Sequence, residues 1–341
     1  MNFFLAALGF WLTTLLALAL TVLTYFELRN AVKKLKDVPN WVYKIGYAIK
    51  ERRVTYEDVT NAAALTEVHL VLLGLAAANL IVILVRYTKG YSVPEAIYFC
   101  LRMEFFIVVA LRVIHPVFKT ELLLGGRIRK SPGVGRYYAS ANAVLGMVFM
   151  TAFFFLITLF LTGVPARPVE VEIAGTRIVI DSTKAAELLA AGFRFYQKNP
   201  DAVIVNHRDS HFYYGELAKL IRDGKSYGIV SLTPKWSDSA NLSDCVITYY
   251  GISGQNKQIS AVTINRQKIA ALKLTDFKNN KLIDIFAVTP ADYRENKGNS
   301  YFKPQLQTNG YLLWKRYTIE ARFSDDGTAQ YEVRAQHTIW E

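Results

Sequence analysis

Four stretches of the chain stay apolar for about the 20 residues that a helix needs to cross a hydrocarbon layer. They run over 3–26, 68–86, 93–115 and 140–162. The first, second and fourth carry almost nothing but aliphatic, aromatic and small residues. The third, 93–115, also holds Arg102, Glu104 and Arg112. Beyond residue 164 the pattern changes to short apolar runs separated by turn residues. The arrangement predicts a membrane α-helical part with four transmembrane helices over 1–164, then a soluble α+β domain with an antiparallel sheet over 165–341.

Within the second part, VEVEIAGTRIVID (169–181) reads as a hairpin around Ala174-Gly175-Thr176. A helix over 183–197, capped by Asp181 or Ser182, ends before Asn199-Pro200, and a second helix is predicted over 213–223, stopped at Gly224. Strands are predicted over 227–232, 245–252, 258–264, 281–288, 312–323 and 329–340, with turns at Asn279-Asn280 and Asp325-Asp326-Gly327. Prolines in TGVPARP make the link after the fourth apolar run short and stiff. Before the second run, NWVYKIGYAIKERR (40–53) places Trp41, Val42, Ile45, Ala48 and Ile49 on one helical face. That face suits either a helix lying on a membrane surface or a small packed helix. Thr55 and Asp58 resemble a capping box.

Charge adds orientation. The net charge is +12, and residues 1–164 hold 17 basic and nine acidic side chains. Eight of the basic residues fall in 27–67 and five in 116–139, whereas the 87–92 turn holds only Lys89. Basic loops stay on the cytoplasmic side. The N-terminus and the C-terminal domain are therefore expected outside the cytoplasm, which in a two-membrane bacterium is the periplasm beyond the inner membrane. The first run lacks a basic start and is too long for a signal peptide, so it reads as an uncleaved anchor. Contact with anionic lipids accounts for the basic loops. A nucleic-acid surface is not expected, because no aromatic stacking platform accompanies the charge. Cys100 and Cys245 cannot staple the soluble domain internally.

The charged run begins with a strong helix start, Ser92 with Glu95 three residues on and Pro94 between. Pro116 is expected to end it. A charge at mid-depth in a bilayer costs a few kcal/mol, so Arg102 and Glu104 need partners. At 100° per residue they point in nearly opposite directions; Arg102 falls near Glu95, while Glu104 clusters with Arg112 and His115. Three readings compete: contacts for assembly, a polar path for ions or a solute, or a helix skimming the interface. Small residues add packing surfaces, Gly74, Ala77 and Ala78 in the second run and Ala139, Asn142, Ala143 and Gly146 in the fourth. Such faces serve packing within the chain or oligomerisation.

Candidate chemistry in the soluble part is thin. His207, Asp209 and His211 in NHRDSH would share one face of a strand, as metal ligands can, or form a polar turn. Ser210 beside His211 makes no triad by itself. GGRIRKSPGVGRYY (125–138) has glycines and cations without a phosphate-loop pattern, and His337 reads as structural. No catalytic residue, cofactor or metal is expected. The expected function is that of an assembly component of a multi-protein envelope complex, of the kind found in secretion or conjugation machinery, with other membrane proteins or itself as partners. The alternatives are a channel or transporter element built on Arg102 and Glu104, or a sensor with an external ligand-binding domain.

Overall fold

A computed structural model describes residues 2–49, 60–124, 139–164, 166–209, 212–235, 237–308 and 316–336. The chain divides into two compact units, residues 5–160 and residues 161–341 together with 1–4.

The first unit is helical. Helix α1 spans Asn2–Lys34, α2 Asn40–Ile49, α3 Asn61–Thr88, α4 Val93–Leu124 and α5 Ala139–Thr162. Three of these, α1, α3 and α5, are long and apolar enough to cross a membrane. Leu12, Leu16, Leu73, Ile81 and Phe160 among their side chains face outward, as a lipid-facing surface requires. The protein is therefore membrane-associated. A third of the most apolar window of α5 is buried, against 6% of that of α3, so α5 is the central helix. Helix α4 is long enough, but its charges set it apart from the other three.

Hydroxyl pairs join α1 to α5. Thr14 meets Thr158 at 2.8 Å and Thr21 meets Thr151 at 2.9 Å. Both pairs are seven residues apart on each helix and run in opposite directions, so the two helices are antiparallel. Helix α2 packs closely. A Cβ on Gly46 would lie 1.9 Å from the Ala139 carbonyl oxygen, and one on Gly146 would lie 2.2 Å from Ile49 Cδ1. Val42 is fully buried while Trp41 and Tyr47 stay exposed.

One expectation for this unit changes, and another lies outside the described residues. Pro116 does not end α4, which continues to Leu124; proline removes one backbone donor, and the helix carries on past that loss. The cap of α3 is Thr60, whose hydroxyl accepts from Ala63 N, while Thr55 and Asp58 lie outside the described residues.

The second unit opens with β1 (Glu170–Ile173) and β2 (Thr176–Val179), joined by a two-residue turn in which Ala174 and Gly175 both have positive φ. Helix α6 (Ala185–Ala190) follows, then β3 (Arg194–Phe195), β4 (Val203–Val205), β5 (His207–Asp209), β6 (Phe212–Tyr214), β7 (Glu216–Arg222), β8 (Lys225–Thr233), β9 (Ser239–Asn241) and β10 (Val246–Ser253). Strands β11 (Val262–Ile264) and β12 (Gln267–Lys268) precede α7 (Leu274–Asn279) and α8 (Leu282–Ile285). Strands β13 (Tyr293–Lys297), β14 (Tyr301–Leu306), β15 (Arg316–Phe323) and β16 (Ala329–Gln336) complete the unit. The main sheet has eight strands in the order β13-β14-β15-β16-β10-β8-β7-β3, and the second has four in the order β12-β11-β1-β2. The pairings within both sheets are antiparallel. Phe277 on α7 is buried against Phe286, Phe302 and Phe323.

Three expectations are corrected here. The segment 213–223 is not a helix but β6 and β7. Leu217 and Lys219 are exposed while Ala218 and Leu220 are buried, a period of two. At its start a Cβ on Gly215 would sit 1.7 Å from the Leu232 oxygen, so only glycine admits this approach. Conversely 281–288 is not a strand. Leu282, Ile283, Ile285 and Phe286 are all buried, a helical spacing, and Glu295 Oε1 accepts from the Leu282 and Ile283 amides at 2.8 and 3.3 Å. Helix α6 is also much shorter than expected. Its start is bonded by Glu187, which accepts from Lys184 N at 2.8 Å, and Gly192 with φ +84° stops it.

Candidate functional site

Polar groups gather on the facing sides of α3 and α4. Ser92 and Glu95 open α4 as expected, with Glu95 Oε2 accepting from Ser92 N at 2.8 Å and from Ser92 Oγ at 2.7 Å. Glu95 is buried and turned toward Ser92, so it does not serve Arg102. One and two turns further along, Cys100 and Glu104 meet the same residue on α3. The Cys100 thiol donates to Asn79 Oδ1 at 3.3 Å, and the Glu104 carboxylate lies close to the same Asn79 side chain. An i, i+4 spacing places both on one helical face. The amide of Asn79 thus offers its oxygen to the thiol while its NH2 group suits the carboxylate.

The cations meet aromatic rings. The Arg102 guanidinium lies 5.7 Å from the Tyr98 ring centroid, one turn back on its own helix. That of Arg112 lies 5.7 Å from the Phe149 ring on α5. Arg86, at the end of α3, sits 3.5 Å from the Tyr91 ring and 4.3 Å from that of Phe99. Among the described residues no carboxylate lies within ion-pair distance of Arg102. A cation over a ring gains about 0.5–2 kcal/mol. The side chain of His115 lies outside the described residues.

The small residues divide. Asn142 and Ala143 are buried, and Ala139 and Gly146 receive α2. A Cβ on Gly74 would stand 3.6 Å from Leu111 on α4, an ordinary contact. Ala78 is half-buried and Ala77 is exposed. The α5 face is thus filled from within the chain, whereas α3 keeps an open edge at Ala77.

In the second unit His207 and Asp209 lie on β5, which pairs with β6; His211 is outside the described residues, as are the 125–138 segment and His337. Among the described residues no group of three His, Cys, Asp or Glu side chains is placed to hold a metal ion. Sequence reasoning missed Asn79. A lone Asn in the middle of an apolar run is the signal that marks it, since an amide in hydrocarbon needs a partner. It also missed the four threonines of α1 and α5, which bond across the helices.

Compared with known protein families, with characterised proteins and with solved structures, the chain matches none.

Proposed function

We propose that the protein is a polytopic membrane component that assembles with other membrane proteins or with copies of itself, within an envelope complex of secretion or conjugation type. On this reading α4 is a fourth span, the loops 27–67 and 116–139 face the cytoplasm of a bacterium, and the domain from 165 onward stands on the opposite side of the inner membrane. The observation that carries the proposal is Arg102. It stands near the middle of the charged run with the Tyr98 ring beside it and, among the described residues, no carboxylate within ion-pair distance; a neighbouring subunit that brings a carboxylate would offset its burial in lipid. The exposed Ala77 edge of α3 offers a close helix contact for such a neighbour.

Glu104 supports a second reading, a polar path for ions or a solute, because the side chain close to its carboxylate is the neutral amide of Asn79. The test uses the full chain with Arg102→Gln or Glu104→Gln, purified in mild detergent, sized, and examined for co-eluting proteins. Loss of the complex in Arg102→Gln, with an unchanged melting temperature, supports assembly. An intact complex that loses conductance or uptake in liposomes supports the path. If neither property changes in either variant, both readings fall.

A further inference from the structure

A cavity of about 370 Å³ lies in the second unit beside the link that follows α5, lined by Arg167, Glu170, Asn265, Arg266, Thr289 and Leu306 among others. Its polar groups are mostly donors. Glu170 is the one carboxylate in the lining, and both its oxygens are taken by Arg177, through Nε at 3.0 Å and through Nη2. Arg167 and Arg266 have no acidic partner within ion-pair distance among the described residues. Asn265 accepts from Glu170 N through Oδ1 at 2.9 Å, which leaves its NH2 uncommitted. Thr289 adds a hydroxyl.

The backbone is strained to present this set. Strands β11 and β12 are joined through Asn265 and Arg266, both with positive φ, +47° and +69°. Two-residue turns of this kind take glycine at the second position, as Gly175 does between β1 and β2. Arginine there costs about 1 kcal/mol or more. A strained residue at the mouth of a cavity is a functional candidate.

We propose that this cavity binds a phosphate group, with Arg167 and Arg266 gripping its oxygens and Asn265 and Thr289 donating to the remainder. Guanidinium forks match phosphate oxygens two at a time, and a tetrahedral anion has acceptors enough for four donors. The group has two possible sources, an anionic phospholipid headgroup or a soluble phosphate ester. Ala166 on the cavity wall is four residue steps from Thr162, the end of α5, at most about 14 Å of chain. If α5 crosses the bilayer, as the proposed function holds, that reach favours the headgroup.

The full chain in detergent is titrated with sodium phosphate, with sodium acetate and with short-chain phosphatidylglycerol, following melting temperature and, by native mass spectrometry, retained lipid. Arg167→Gln and Arg266→Gln are each expected to weaken phosphate binding about tenfold or more, the loss of a charge-assisted pair. Arg294→Gln, an exposed arginine elsewhere, leaves it unchanged. Arg266→Gly keeps the turn unstrained and separates folding from binding; it is expected to bind as poorly as Arg266→Gln. Weaker lipid retention in the two glutamine variants identifies the headgroup, and equal retention with weakened phosphate binding identifies a soluble ester. Acetate binding as well as phosphate, or variants indistinguishable from the parent with both probes, overturns the site. Failure of α4 variants to assemble leaves this binding intact, so the two proposals fail separately.

Discussion

A neutral amide is what Glu104 finds across the seam between α3 and α4, and that meeting was not legible in the sequence. Spacing along one helix places Glu104 on a face, but not the residue opposite it, and Asn79 lies 25 positions away. What could be read was local: Ser92 and Glu95 bond as their three-residue spacing predicts. Two residue-level predictions follow from burial in the second unit. Burial, with Asp244 and Glu216 nearby, pushes the Cys245 thiol up to about 11. Maleimide at pH 7.5 should leave it unlabelled in the folded protein and label it in denaturant, because the thiolate is the nucleophile. Glu320 is the opposite case. Burial pushes its carboxyl up, but hydrogen bonds from Lys303 and Arg322 outweigh that and hold it below the usual range. A folded value below the unfolded one gives stability that is present above the unfolded value, about 4.3, and lost as pH falls through the folded one. Glu320→Gln should therefore cost about 1–2 kcal/mol near neutral pH, discounted for the partly exposed cations. The deficit should shrink in acid, as followed by thermal melts across pH.

Elements were readable where one rule decided them. The β1–β2 hairpin follows from Ala174-Gly175 between two alternating runs. The segment 213–223 misled because Leu217, Ala218, Leu220 and Ile221 fit a helical stripe as well as a strand. What decided it was the neighbour, β8, whose Leu232 carbonyl passes too close to Gly215 for any side chain. Gly215→Ala should disrupt the β7–β8 pairing and lower the melting temperature of the second unit, with the loss visible in its near-ultraviolet dichroism. Helix α2 provides a graded comparison. Gly46→Ala drives a Cβ against the Ala139 backbone, which cannot turn away. Gly146→Ala meets the end of the Ile49 side chain, which can change rotamer. The first substitution should destabilise the helical unit by several kcal/mol more than a surface change does, and the second by distinctly less. Thermal unfolding in detergent distinguishes them.

For the whole molecule, the division near residue 160 coincides with the change from long apolar runs to short alternating ones. The balance between the two parts is therefore visible in the pattern alone. Orientation belongs to this scale. A reporter fused at the C-terminus should be active outside the cytoplasm and silent within it, and one inserted at 127–136 should behave in the opposite way. A reversed result removes the proposed topology.

The threonine pairs between α1 and α5 bear on how such a protein is made. The ribosome delivers α1 more than a hundred residues before its partner exists. In the interval Thr14 and Thr21 need not wait unsatisfied in oil, because each also donates to a carbonyl of its own helix, Phe10 at 2.8 Å and Ala17 at 2.9 Å. When α5 arrives, two contacts with matching seven-residue intervals close together. A slip of one helix past the other by a single turn would forfeit both, so the late-arriving segment reports its own correct seating.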